Sequence, residues 1–329
     1  MKCFLALLIF MLLCGGGSAG AENIQVEKLK IAVPPDKTRY IEGEAFDPAG
    51  LQVNAILSDG TVLEDVPCEF DIGEITPNGS CVVNCLYGGR SVMQVIFYTL
   101  LGNTEPYAAA AVPRMENSPL AGKTYVFLGS SVTYGASAGG ESMVDLIAAR
   151  HGAVCVKEAV SGTTLASPKG EGKSYVRRLE RLVSGSDCPE AVDAFICQLS
   201  TNDTRDPGRY GEITADDVRN MDAFDKTTTF GAMEYIIALV KETWDCPVVF
   251  YTNCFMDKPE YLTMIEGLDR IAAKWGVTVI DLFRDTAFNA IDPERYHLYM
   301  ADEIHPTKAG YRDWWLPRFE ETLLDLAAE

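Results

Sequence analysis

Positive charge is what this chain has least of. Lys and Arg total 28 against 47 Asp and Glu, a formal charge of −19 over 329 residues. Nucleic acid and anionic membrane surfaces attract cations, so neither is an expected partner. Histidine is scarcer still, with three, at His151, His297 and His305. Long apolar runs are also missing: beyond the first few residues no stretch approaches the roughly 20 that span a bilayer, and no membrane span is expected. There is no internal repeat and no low-complexity segment, which excludes solenoid architectures.

What is present begins with an export pattern. Met1-Lys2 precedes an apolar run from Cys3 to Cys14, followed by small residues to Ala21. A basic start, a short apolar run and a small-residue exit describe a secretory signal peptide over residues 1–21, cut near Ala21. A lipid anchor on Cys14 is the alternative, disfavoured by the bulky Leu13 before it. The expected location is therefore secreted or at the surface of a bacterial cell. Losing Lys2, the sole charge in the leader, takes the net charge to −20, which reads as solubility alone. Eight of the ten cysteines would remain, free to pair in an oxidising compartment. Cys188 and Cys246 each precede a proline and an apolar strand, and parallel neighbouring strands would bring them within bridging range.

Residues 22–116 have a β texture. Leu51, Val53, Ala55 and Leu57 alternate with polar or smaller residues before an Asp59-Gly60 turn, a strong hairpin signal. Cys81, Val83, Cys85 and Tyr87 share one face, Gly88-Gly89 turns the chain, and Ser91 to Leu101 continues as a strand. Several short strands in so few residues fit a small antiparallel sandwich. Thr38 to Leu51, followed by Leu57-Ser-Asp-Gly-Thr61, resembles the bacterial Ig-like domains of secreted and surface proteins. The resemblance implies a spacer or an adhesion module, the spacer being favoured, with cell-surface or polysaccharide contact as its further expectation.

Pro119 and Gly122 lie in a linker, and from residue 117 to residue 329 the texture changes. Apolar runs at 124–129, 153–157, 192–199, 248–253 and 277–282 alternate with helical patterns near 141–150, 174–184, 231–243, 259–275 and 307–326. Leu262, Ile265, Leu268 and Ile271 recur at the helical period. Continuously apolar strands alternating with helices predict a parallel sheet covered on both faces, an α/β class. In such sheets the ligand crevice lies at the carboxyl ends of the strands.

Four clusters fall at those ends: Gly129-Ser130-Ser131, Gly162 within Ser-Gly-Thr-Thr164, Asn202-Asp203, and Asp302-Glu-Ile-His305. A serine needs a base, and the base an orienting group; Ser131, His305 and Asp302 supply them. The four blocks in this order, from Lys123 to the end of the chain, resemble the SGNH or GDSL-type hydrolases, esterases and lipases; the resemblance implies their three-layer α/β/α, flavodoxin-like fold. The resemblance implies Ser131 as nucleophile, His305 as base and Asp302 as orienting acid. It implies an oxyanion hole from the Ser131 and Gly162 amides and the Asn202 side chain. It calls for no cofactor and no metal. Two positions depart from the family pattern. Its acid before the nucleophile is Ser130 here, a lost charge expected to loosen the turn. Its glycine two before the asparagine is Ser200, expected to narrow the crevice floor.

Other residues carry blander readings. His151, at a helix end beside Gly152, reads as structural. His297, Asp302 and His305 lie within nine residues, yet no second histidine cluster completes a zinc set. Trp314 and Trp315 read as core of the final helix. Arg205, Arg209 and Tyr210 lie in a long polar loop after Asn202, a place where specificity is often set. The expected activity is hydrolysis of a short acyl ester on an acylated glycan. The rivals are a lipase or lysophospholipase-type esterase and a non-catalytic glycan-binding protein with a degenerate hydrolase fold.

Overall fold

The computed structural model describes residues 24–167 and 172–328; the expected leader, with Cys14 and Ala21, lies outside them. By compactness the chain divides into two units. One takes the chain up to Lys37, Asp47–Gly73 and Val82–Val95; the other takes Thr38–Phe46, Glu74–Cys81 and Ile96–Glu329.

Seven strands precede the linker: β1 (Val26–Val33), β2 (Arg39–Ile41), β3 (Gln52–Leu57), β4 (Val62–Leu63), β5 (Glu69–Ile72), β6 (Ser80–Tyr87) and β7 (Arg90–Thr99). They form a three-stranded sheet in the order β1-β3-β4 and a four-stranded sheet in the order β2-β7-β6-β5. Asp59-Gly60 turns β3 into antiparallel β4, as the hairpin signal predicts. Leu29, Val53, Ala55, Val66 and Cys85 bury the core of the first unit. Two sheets of short strands fit a β domain.

The remaining strands are β8 (Thr124–Gly129), β9 (Val154–Ala159), β10 (Ala194–Gln198), β11 (Val248–Tyr251) and β12 (Thr278–Ile280). They make one five-stranded sheet in the order β12-β11-β10-β8-β9, every pair parallel. Helices fill the connections: α1 (Ser131–Tyr134), α2 (Met143–His151), α3 (Tyr175–Ser184), α4 (Thr229–Trp244), α5 (Pro259–Trp275), α6 (Thr286–Asn289), α7 (Pro293–Tyr299), α8 (Lys308–Gly310) and α9 (Leu316–Ala328).

Strand period explains the three layers. Val126 and Leu128 point to a core shared with Leu179 of α3, Ile236 of α4 and Leu268 of α5. Tyr125 and Phe127, one residue out of phase, point to the opposite core with Ile147 of α2 and Phe319 of α9. A sheet buried on both faces needs apolar residues at every position, which is why these strands read as runs rather than alternations. Reading the order from the far edge as second-first-third-fourth-fifth gives the flavodoxin-like arrangement, whose direction reverses between the first and third strands. Here that switch lies between β8 and β10.

Cys188 and Cys246 are not bonded to each other, so the expected Cys188–Cys246 bridge is not formed. The register explains it. Phe195 pairs with Val248, which sets Cys246 level with Asp193. Cys188 enters five positions earlier, where Pro189 O accepts from the Trp244 indole at 2.9 Å. The premise that both thiols stand at the strand entrances holds for Cys246 only.

Candidate active site

The switch point is where the predicted residues gather. β8 ends at Gly129, and the chain turns at Ser130 into the single helical turn α1, whose first residue is Ser131. Gly129 is required by space: a Cβ there would lie 1.6 Å from Thr133 Oγ1. Ser131 is nearly buried, at 7 % exposure. Its main-chain N–H belongs to the first turn of a helix, where no intrahelical acceptor exists.

The lost acid at Ser130 has a replacement that sequence reasoning did not find. Gln198, the last residue of β10, presents Oε1 to the Ser130 amide at 2.8 Å and the Ser130 hydroxyl at 3.2 Å. The same oxygen accepts from Thr133 Oγ1 at 2.9 Å. The Ser130-Ser131 turn is therefore anchored to the neighbouring strand by a neutral amide, against the expectation of a loosened turn. The available signal was a polar residue at the end of an otherwise apolar strand.

Across the crevice, Met300 and Pro306 bridge, and Ala301 N–H donates to His305 O at 2.9 Å. This closes a short loop holding Asp302 and His305. His305 Nε2 lies 2.8 Å from Ser131 Oγ. His305 Nδ1 faces Asp302, 3.0 Å from Oδ1 and 2.9 Å from Oδ2. Asp302 Oδ1 also accepts from the Ile304 and His305 amides at 2.8 and 2.7 Å. Burial pushes the Asp302 carboxyl up, but these bonds and the adjacent imidazole outweigh it and hold the carboxyl below its ordinary value.

Gly162 follows β9 and Asn202 follows β10. Gly162 has φ +77° with open space where a Cβ would stand; its glycine is demanded by the backbone conformation, not by crowding. Asn202 Nδ2 donates to Thr163 O at 2.9 Å. That spends one of its two N–H groups, fixes the carboxamide plane and leaves the second. Ser200 does not narrow the floor: it is buried, its Oγ accepts from Asn202 N at 3.1 Å, and it donates to Thr163 O at 3.3 Å. It caps the turn that presents Asn202. Asp203 lies beneath, accepting from Leu165 N and Thr229 Oγ1 at 3.0 Å each; burial raises its carboxyl pKa despite those bonds.

Beside Asn202 opens a cavity of about 140 Å³, lined by Thr164, Ala166, Asp203, Arg205, Arg209 and Thr229 among others. Arg205 is exposed at its rim. Arg209 pairs with Asp206 at 2.8 Å, and Tyr210 is buried against Phe230 with its hydroxyl on Glu260 O. Of the three loop residues singled out by sequence, Tyr210 belongs to the core.

The other histidines are elsewhere. His151 is fully buried, with Nδ1 2.7 Å from Ser118 Oγ and Nε2 2.7 Å from Glu320 Oε1. His297 is exposed, and its Nε2 lies 3.0 Å from Glu42 Oε1. Among the described residues no three His, Cys, Asp or Glu side chains converge as a metal set. Trp315 is buried, and Trp314 is sandwiched between Phe288 and Tyr299.

The profile of the GDSL-like lipase/acylhydrolase family matches residues 127–312, more than half of the chain. The chain belongs to this family. It is an esterase-type hydrolase. Among solved structures it is similar to a Lactobacillus plantarum protein at 19% identity and TM-score 0.48, covering 62% of this chain and 97% of that one. A Veillonella parvula protein of the lipolytic G-D-S-L family matches at 17% identity and TM-score 0.43, over 61% and 97%. A carbohydrate acetylesterase family member from Sinorhizobium meliloti matches at 13% identity and TM-score 0.43, over 63% and 100%. No curated protein matches. No helix among the described residues is long and apolar enough to cross a membrane.

Proposed function

We propose that this GDSL-type hydrolase is an exported serine esterase that removes short acyl groups from a carbohydrate through an acyl-serine intermediate. The observation that carries the reading is the 2.8 Å approach of His305 Nε2 to Ser131 Oγ, with Asp302 behind the ring. Ser131 Oγ attacks the acyl carbon as its proton passes to His305 Nε2. Asp302 stabilises the imidazolium and keeps the Nδ1–H tautomer. The carbonyl oxygen, now carrying the negative charge, accepts from the Ser131 and Gly162 amides and the unspent Asn202 N–H. His305 then gives its proton to the leaving sugar oxygen as the C–O bond breaks. Water repeats the sequence in reverse, releasing the acid and restoring Ser131.

In this reading the cavity beside Asn202 takes a small acyl group. At about 140 Å³ it compares with the roughly 150 Å³ that accepts a benzene ring, and a long acyl chain exceeds it. In this reading residues 1–21 are removed on export, and residues 22–116 form an Ig-like spacer that meets a polysaccharide or cell surface ahead of a hydrolase domain at 117–329. The test is acetate release across a panel of acetylated polysaccharides, with p-nitrophenyl acetate and p-nitrophenyl palmitate as simple esters. Acetate release that disappears in Ser131→Ala supports the reading. Preference for palmitate favours the lipase rival. No turnover of any ester favours a glycan-binding role.

A further inference from the structure

Arg178 lies on the stripe of α3 that also buries Tyr175, Val176, Leu179 and Leu182. It is 2 % exposed. A guanidinium out of water must satisfy five N–H groups or bear a large desolvation cost. This one makes four hydrogen bonds, three of them to residues that flank the site. Nη2 donates to Gly129 O at 2.7 Å and to Thr163 Oγ1 at 3.4 Å. Nη1 donates to Glu158 O, and Nε to Lys173 O at 3.0 Å. The nearest carboxylate oxygen, Glu158 Oε2, is 3.6 Å away, so the group is committed more to main-chain carbonyls than to an ion pair. Its planar face lies 5.1 Å from the Tyr175 ring centre. The Tyr175 hydroxyl in turn donates to Gln198 Oε1 at 3.4 Å, the oxygen that anchors Ser130.

Three of the four partners stand beside the site. Gly129 is the last strand residue before the nucleophile turn, Glu158 lies near the end of β9, and Thr163 follows Gly162. We propose that Arg178 is a positioning residue, whose guanidinium fixes the spacing between the Ser131 turn and the Gly162-Thr163 loop that follows β9. The proposal rests on the roles assigned to Ser131, Gly162 and Asn202 above. A lysine has the same charge but no rigid fork, and it cannot hold carbonyls from two strand ends in one plane. An oxyanion donor displaced by about 1 Å costs on the order of 10²-fold in rate.

The test compares wild type with Arg178→Lys on p-nitrophenyl acetate, with thermal unfolding followed in parallel. The expected result is a kcat lower by roughly 10²-fold and a KM within about twofold. Labelling by a fluorophosphonate, which needs the same oxyanion donors, slows by the same factor. A lowered unfolding midpoint with kcat intact in the folded protein makes Arg178 a structural brace and overturns the proposal. Thr163→Val supplies an independent arm should the lysine variant not fold. It removes the Oγ1 contact to Arg178, along with a bond to Val160 O. Its kcat is expected to fall in the same direction by a smaller factor, and an unchanged kcat overturns the proposal. An active wild type with unaffected variants defeats only this inference; an inactive, unlabelled wild type defeats the esterase reading beneath it.

Discussion

Asn202 spends one amide N–H on Thr163 O and keeps the other for the crevice. Removing one oxyanion donor typically costs about 2.7–4 kcal/mol of transition-state stabilisation. Asn202→Ala is therefore expected to lower kcat by about two to three decades while the unfolding midpoint barely moves; steady-state kinetics on a short ester checks it. Asp302 makes a second, pH-linked prediction. Its folded pKa is held below the unfolded value of roughly 3.9. The ionised carboxylate thus contributes stability above that unfolded value, and the contribution is lost as pH falls through the depressed folded one. Asp302→Asn should show a stability deficit at neutral pH that shrinks as the solution is acidified below about pH 4. The side chain is one-third exposed, so the deficit is small beside the turnover loss, of order 10⁴ where this substitution removes the orienting carboxylate of a serine-protease triad.

At the scale of elements, the site depends on how strand ends become turns. Gly129 packs so closely on Thr133 that a methyl group there has no room. Gly129→Ala is expected to destabilise the fold by about 1–3 kcal/mol, the usual cost of overpacking, and to cut kcat more than that loss of folded protein explains, because Ser131 follows two residues on. Urea titration read beside specific activity separates the two. The elements themselves were legible in the sequence. The runs at 124–129 and 248–253 become β8 and β11, and the 259–275 period becomes α5 residue for residue. Short elements were not: α1, with four residues, is too brief for a period to register. The break in the last helix, where Tyr311–Trp315 widens to a π turn, is set by packing; Tyr311 reaches Val132 O at 2.6 Å, and no local propensity announces that.

Across the whole molecule, the four blocks could be read from the sequence because a parallel sheet gathers its strand ends on one rim. Their supports stayed hidden, since Gln198 and Arg178 sit where the pattern asks for apolar residues. A polar side chain in an apolar run or stripe was the only mark they left. The same holds for Glu234 and Lys274, which pair in the α4–α5 layer with both side chains fully buried. Breaking a buried pair strands a charge, at about 3–5 kcal/mol. Lys274→Met should lower the urea midpoint accordingly and leave kcat of the folded enzyme unchanged, since neither residue belongs to the site. Equal stability in this variant would show that Thr214 and the Trp275 indole alone satisfy the Glu234 carboxylate.

In the proposed mechanism the Ser131 hydroxyl, on the turn after β8, is activated by the His305 imidazole, 174 positions later. Mass analysis after fluorophosphonate treatment tests it most directly. The account predicts one adduct, on the peptide carrying Ser131, formed far more slowly in His305→Ala. An adduct on another serine, no adduct, or equal rates in the two proteins would contradict it.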